Sequence, residues 1–118
     1  MLTQNHAVTA HEFLEASDRE FAAGDHLQAS EKLWGAATHA VMAVAQQRGW
    51  PHRSHRSLKN AVGRLTAETG DDGIAGGFAA AEKFHKNIEP DEMEDFEIEH
   101  DRPQVHRFVA RILTLLNN

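Results

Sequence analysis

The residues between Asp25 and Gly49 carry the strongest periodic pattern in the chain and limit its fold more than any other feature. Small side chains in this stretch would let a neighbouring helix approach closely; they are Gly35, Ala36, Ala37 and Ala40. Apolar side chains recur at intervals of three and four, which places them on one helical face; they are Leu33, Trp34, Ala37, Val41, Val44 and Ala45. We therefore predict a long helix, capped by Asp25 and ended by Gly49, at the centre of a helical bundle.

Two more helices flank this central one. The spacing Thr9-x-x-Glu12 is typical of a capping box and predicts a first helix over residues 10–22. Ser54 or a residue near it is predicted to cap a third helix, which ends at Gly70.

The last third of the chain predicts two further helices. Three glycines at residues 73–77 predict a weak start for the fourth helix. Residues 89–100 are acidic and contain a proline, so we expect a loop or a short exposed turn of helix there. Asp101 is predicted to cap the last helix, with Pro103 in its first turn. No segment alternates like a strand, and the prediction is one all-α domain over residues 1–118, an up-and-down bundle of about five helices.

Composition excludes several classes of function. The chain has 118 residues and no cysteine, which excludes disulfides, thiolate catalysis and thiolate metal sites. No apolar run approaches the roughly 20 residues that span a bilayer, and the first residues lack signal-peptide features, so we expect a cytoplasmic protein. A net charge of −6 argues against a nucleic-acid binder that works by global attraction.

Charge is nevertheless strongly segregated along the chain. Residues 32–67 contain no acidic residue, whereas residues 89–101 carry eight carboxylates and no Lys or Arg. The basic stretch includes the string Arg-Gly-Trp-Pro-His-Arg-Ser-His-Arg at residues 48–56. A helix N-terminus near Ser54 would favour an anion. We therefore predict an anion- or RNA-binding surface made of His52, Arg53, Arg56 and Lys59.

Arg48 and His55 form a candidate catalytic pair. Six residues that include Pro51 separate them, and a turn there could direct both side chains into one hollow. Metal-independent RNA cleavage needs a base for the 2′-hydroxyl proton and a cation for the charge that builds on phosphorus. His55 would be the base and Arg48 the clamp. The alternative is structural: Arg48 would pair with helix C-terminal carbonyls, while Trp50 and His52 would close the end of the bundle.

Other polar residues have simpler interpretations. His52 and His55 are three residues apart, but Arg53 and Arg56 would repel a cation, so no metal site is predicted. His85 falls on the predicted apolar face of the fourth helix and is interpreted as a hydrogen-bonded core residue. Four scattered histidines, His6, His11, His26 and His39, leave three interpretations open, which are metal binding, proton transfer and composition drift.

The acidic run is most simply a solvated face, with docking onto a basic partner as the second interpretation. This run consists of five of the eight carboxylates in residues 89–101, namely Glu92, Glu94, Asp95, Glu97 and Glu99.

Three strings give the chain a family resemblance. They are Ala-Ser-Glu-Lys-Leu-Trp-Gly-Ala-Ala at residues 29–37, the basic string at residues 48–56, and Ala-Glu-Lys-Phe-His-Lys-Asn at residues 81–87. On these strings the chain resembles the PaREP branch of HEPN-type helical domains over roughly residues 20–116. The resemblance implies a bundle of four or five helices that dimerises. Several HEPN domains are metal-independent RNases with an Arg-x4–6-His motif, and others are inactive partners of nucleotidyltransferases or nucleotide-binding modules.

The resemblance extends the function prediction to specific residues. Arg48 and His55 satisfy the motif interval, although Gly49 follows the arginine where active members often have a polar residue. His85 and Asn87 match the family string without a known role. The prediction is an RNA- or nucleotide-associated module without a cofactor, in the sharper version an RNase of toxin–antitoxin or defence type. The alternative is a non-catalytic interaction partner, for example of a nucleotidyltransferase.

Overall fold

The computed structural model describes residues 5–116 and consists of five α-helices. These are α1 (His6–Ala22), α2 (His26–Gln47), α3 (His55–Thr69), α4 (Asp72–Lys86) and α5 (Asp95–Leu113). Within residues 5–116 there is no β-strand, which confirms the all-α prediction. No helix in this range is long and apolar enough to cross a membrane.

Helices α1 and α2 form an antiparallel hairpin. Asp25 caps α2 as predicted, because its carboxylate accepts a hydrogen bond from the backbone N–H of Gln28 at 3.1 Å. The predicted capping box at Thr9 and Glu12 is wrong. Asn5 caps α1 instead and accepts from the N–H of Val8, so the helix begins at His6 and the Thr9 hydroxyl donates to the Asn5 carbonyl.

Helix α2 lies at the centre of the bundle, as its periodicity predicts. Leu33, Val41 and Val44 are fully buried in the single chain. At Gly35 an added Cβ would lie 3.1 Å from the ring of Phe13, so the small residue lets α1 pack close to α2.

The connection between α2 and α3 runs back along α2. Ser54 caps α3 as predicted, because the Ser54 hydroxyl accepts from the N–H of Ser57 and the Ser57 hydroxyl from that of Ser54. His55, at the start of α3, lies beside Trp34 in the middle of α2. Glu68, at the end of α3, pairs with Arg48 at the end of α2. Helix α3 therefore runs in the same general direction as α2, so these two helices depart from the up-and-down order predicted for the bundle.

The start of α4 is better defined than its glycines predict. Asp71 caps the helix and accepts from the N–H of Gly73 at 2.9 Å. A Cβ at Gly77 would lie 2.6 Å from the Cβ of Phe108, so this glycine allows α4 and α5 to pack closely.

Helix α5 begins seven residues earlier than predicted, at Asp95 rather than after Asp101. The carboxylate of Glu97 accepts from the backbone N–H of Glu94 and closes the first turn. Asp101 is a buried residue inside the helix and pairs with Lys83 of α4 at 2.9 Å. Burial acts to raise the pKa of Asp101, but the hydrogen bonds from Lys83 and His100 outweigh it, so that pKa lies below its usual value.

Part of the acidic run is therefore helical, and Pro103 lies inside α5 rather than in its first turn. The acidic first turn suits the positive end of the helix dipole, which explains why a helix forms in so charged a segment.

Candidate functional site

Arg48 and His55 do not share a partner. The Arg48 guanidinium forms an ion pair with Glu68 and lies 5.1 Å from the ring centroid of Trp50. His55 Nε2 instead lies 2.7 Å from Glu82 Oε2 of α4. Because Glu68 follows His55 by thirteen residues in α3, His55 and the Glu68 partner of Arg48 are separated by roughly 20 Å along that helix. The structure thus holds the two predicted catalytic residues towards opposite ends of α3.

The structural alternative for Arg48 also needs correction. Its side chain pairs with the Glu68 carboxylate rather than with helix C-terminal carbonyls. Trp50 and His52 are half-buried, and Trp50 is additionally covered by the guanidinium of Arg64 at 4.0 Å.

The predicted anion-binding surface is exposed at the N-terminus of α3. A shallow pocket of about 490 Å³ is lined by residues 49–54 and Ser57. Arg53 and Arg56 are exposed beside it, and within residues 5–116 neither side chain has an ion pair or hydrogen bond. Lys59 lies 3.9 Å from Glu82, and His52 is hydrogen-bonded to the carbonyl of Trp50 at 2.9 Å. Two of the four predicted residues are therefore unneutralised cations.

His52 also belongs to a group of histidines that the sequence interpretation missed. His6 Nδ1 and His39 Nδ1 lie 2.9 Å apart, and the rings of His6 and His52 are 6.0 Å apart. Burial and then the neighbouring His39 and His52 lower the pKa of His6, and burial lowers that of His39. Only the hairpin register brings residues 6 and 39 together, so no local spacing indicates this group.

A second group surrounds Trp34 and includes His55. We define the histidine–tryptophan cluster as Trp34, His55, Lys59, Glu82 and His85. His85 is exposed and stacks on Trp34, with ring centroids 4.8 Å apart and planes inclined by 17°. The prediction that His85 is a core residue is therefore wrong, because the half-buried Trp34 covers the core at that point.

The histidine–tryptophan cluster brings together groups that can transfer protons. The ring centroids of His55 and His85 lie 6.4 Å apart. Glu82, whose side chain is only 13% exposed, accepts a hydrogen bond from His55 and fixes the orientation of that imidazole. Phe78 lies beneath, with its ring centroid 5.5 Å from that of Trp34. The arrangement places two imidazoles, one carboxylate and one ammonium group on one surface.

Neither group of histidines is arranged as a metal site. In the part of the chain that the structure describes, no set of three or more His, Asp or Glu residues could hold a metal ion.

Comparison with known proteins places the chain in a family. The sequence profile of the archaeal PaREP1/PaREP8 family matches residues 5–109. The chain belongs to the PaREP1/PaREP8 family. No curated protein matches it. A crystal structure of a Sulfolobus solfataricus protein resembles this PaREP1/PaREP8 chain with a TM-score of 0.80 and 17% identity, covering 99% of this chain and 100% of that one. At this identity the likeness shows the fold alone.

Asn87, which matches the family string, has a structural role in this PaREP1/PaREP8 protein. The side chain is buried, and its Oδ1 accepts from the backbone N–H groups of Glu92 at 2.6 Å and Met93 at 3.0 Å. Its backbone carbonyl accepts from the N–H of Asp91, which has a positive φ of 49°. Asn87 thus anchors the connection between α4 and α5 and is not part of the histidine–tryptophan cluster.

Proposed function

We propose that this chain is a cytoplasmic, HEPN-like module that binds RNA or a nucleotide through the N-terminal end of α3. The observation that carries the proposal is the pair Arg53 and Arg56, two exposed cations without a carboxylate partner in residues 5–116. Arg53 lines the pocket formed by residues 49–54 and Ser57, and Arg56 lies in the first turn of α3. A phosphate group neutralises such cations, and its oxygens accept paired hydrogen bonds from a guanidinium group.

The distribution of charge supports a local binding surface. The net charge is −6, but no acidic residue occurs from Lys32 to Ala67. Glu68 and Glu82 pair with Arg48 and His55 rather than with Arg53 or Arg56. A phosphate chain can therefore approach the arginines without displacing an existing ion pair.

The test is RNA binding by the double variant Arg53→Ala/Arg56→Ala. We expect weaker binding of a labelled single-stranded RNA in fluorescence anisotropy. If each arginine contacts one phosphate, the slope of log affinity against log salt falls by about 1.4. Melting temperature should stay unchanged, since neither side chain makes a hydrogen bond or an ion pair within residues 5–116.

The matched control is Arg19→Ala/Arg107→Ala, which removes two exposed arginines from α1 and α5. It changes the net charge equally and should leave the affinity close to that of the wild type. Equal loss in both double variants, or unchanged affinity in the first, would overturn the proposed site.

The sharper version is a metal-independent RNase of toxin–antitoxin or defence type. It assigns the base to His55 and the cationic clamp to Arg48. The separate partners of these two residues favour the binding version, because the Arg48 guanidinium is directed to Glu68 and not towards His55.

A second candidate function is a non-catalytic partner of another protein, for example a nucleotidyltransferase. The observation that favours it is Phe96, which is 72% exposed in the first turn of α5 between Asp95 and Glu97. An exposed aromatic ring among carboxylates fits a partner surface that combines an apolar pocket with basic residues.

A further inference from the structure

We propose that His55 and His85 act as general base and general acid on one RNA phosphodiester, an inference that rests on the proposed function. Neither imidazole needs Arg48. The site is the exposed side of the histidine–tryptophan cluster, next to Arg56 and Lys59 on the first turns of α3.

The separation of the two imidazoles suits this reaction. Their ring centroids are 6.4 Å apart, which leaves room for a phosphate between two groups that each make a hydrogen bond of about 2.6–3.2 Å. Both residues are exposed, so RNA can reach them from solvent. Trp34 holds His85 by stacking at 4.8 Å and lies 5.4 Å from His55.

The hydrogen bond to Glu82 distinguishes the two roles. His55 Nε2 lies 2.7 Å from the Glu82 carboxylate, which can only accept, so Nε2 carries the proton and Nδ1 carries the lone pair. A carboxylate in this position stabilises the imidazolium that forms when Nδ1 takes a proton. His85 has no corresponding carboxylate partner within residues 5–116 and is assigned the acid. Glu82 is a positioning residue.

The proposed step balances without a further reactant. His55 Nδ1 takes the proton of the 2′-hydroxyl, and O2′ forms a bond to phosphorus. The bond from phosphorus to O5′ breaks, and protonated His85 gives its proton to the leaving O5′. The products are a 2′,3′-cyclic phosphate and a free 5′-hydroxyl. Lys59, whose ammonium group lies 3.9 Å from Glu82, supplies positive charge beside the phosphate.

The experiment is cleavage of a labelled single-stranded RNA in EDTA by the full chain, with binding measured in parallel. We expect a 2′,3′-cyclic phosphate product. His55→Gln and His85→Phe should each lower the cleavage rate by about 100-fold or more. His85→Phe keeps a ring on Trp34, and thermal melting checks that each variant is folded. The matched control is His11→Gln, which changes an exposed histidine on α1.

A second substrate separates the acid from the base. An RNA with sulfur in place of the bridging 5′-oxygen has a leaving group that needs no proton. It should restore cleavage by His85→Phe and leave His55→Gln inactive. The pH profile of the wild type should be bell-shaped, with the limb of the acid lost in His85→Phe. Besides these two histidines, the charged groups beside the site include Glu82 of α4 and Arg56 and Lys59 of α3.

The outcomes are distinguishable. If folded His85→Phe cleaves the RNA as fast as the wild type, the assignment of His55 and His85 as an acid–base pair is overturned. RNA binding without cleavage also overturns it and leaves the proposed binding function intact. Absence of RNA binding overturns both.

Discussion

His6 and His39 share a hydrogen bond that exists only while at least one ring is neutral. Their Nδ1 atoms are 2.9 Å apart, so one must donate and the other accept. When both rings are protonated, both nitrogens are donors and the bond is lost. His6 is only 6% exposed, so water cannot readily replace the missing acceptor.

We expect this pair to make the fold less stable in weak acid. The pKa values of His6 and His39 are lowered in the folded protein. Histidines of the unfolded chain have a pKa of about 6.5. In weak acid the folded state therefore binds fewer protons than the unfolded chain. Their stabilising contribution is therefore complete above that pH and decreases as pH falls towards the folded pKa. Melting temperature should fall between pH 7.5 and 5.5.

His6→Gln should reduce this pH dependence, whereas His11→Gln, on the exposed side of α1, should retain it. Equal pH dependence in the wild type and His6→Gln would contradict the assignment. The chain has nine histidines, so the difference between the variants is the relevant measurement.

At the scale of elements, the α4–α5 connection depends on one side chain. Asn87 ends α4 and offers its amide oxygen to two N–H groups at residues 92 and 93. These bonds fix where the acidic segment turns and hence where α5 begins. With the connection in this conformation, Lys83 of α4 and Asp101 of α5 form an ion pair between the two helices.

Asn87→Ala should destabilise the protein by about 2 kcal/mol, because two backbone donors lose their acceptor in a partly buried site. Denaturant unfolding measures the loss, and limited proteolysis should cut more readily within residues 88–94. Asn60→Ala, at an exposed position of α3, is the control and should change neither. An unchanged free energy of unfolding in Asn87→Ala would rule out the anchoring role.

The helix boundaries show which local sequence signals suffice to predict where a helix begins or ends. Asp25, Ser54 and Gly70 act as predicted, because a cap needs only its own helix to be satisfied. The start of α5 was mispredicted since Asp101 resembles a cap in sequence but is used by Lys83 of another helix. The cap predicted at Thr9 is wrong for a related reason, because Asn5 caps the helix four residues earlier.

At the scale of the whole molecule, the single chain already buries the apolar face of α2. Leu33, Val41 and Val44 are fully buried without a second copy. The apolar residues that remain most exposed are few: Val8, Leu27 and Phe96 among residues 5–116. The homodimer that the family resemblance implies would therefore have to use a surface other than the apolar face of α2.

Light scattering tests the homodimer and the interaction-partner alternative together. The chain has a mass of 13.1 kDa, so we expect about twice that value for the isolated protein. A stable monomer contradicts the homodimer. A complex with a small nucleotidyltransferase encoded beside the gene, lost in Phe96→Ser with unchanged melting temperature, would instead favour the partner function.

The all-α class, the central helix and the exposed basic stretch were predictable from sequence, since each depends on side-chain periodicity or charge within one segment. The candidate site was predictable only in part. His55 and Lys59 lie where their segment predicts, on the first turns of α3.

The remaining relations depend on the direction of α3. Because residues 50–54 lead back along α2, His55 meets Trp34, Glu82 and His85, while Arg48 remains at the other end with Glu68. Sequence by itself therefore determined which residues are charged, apolar or capping, since these are local properties. Only the tertiary structure decided which of them meet, because long-range contacts depend on how whole helices pack.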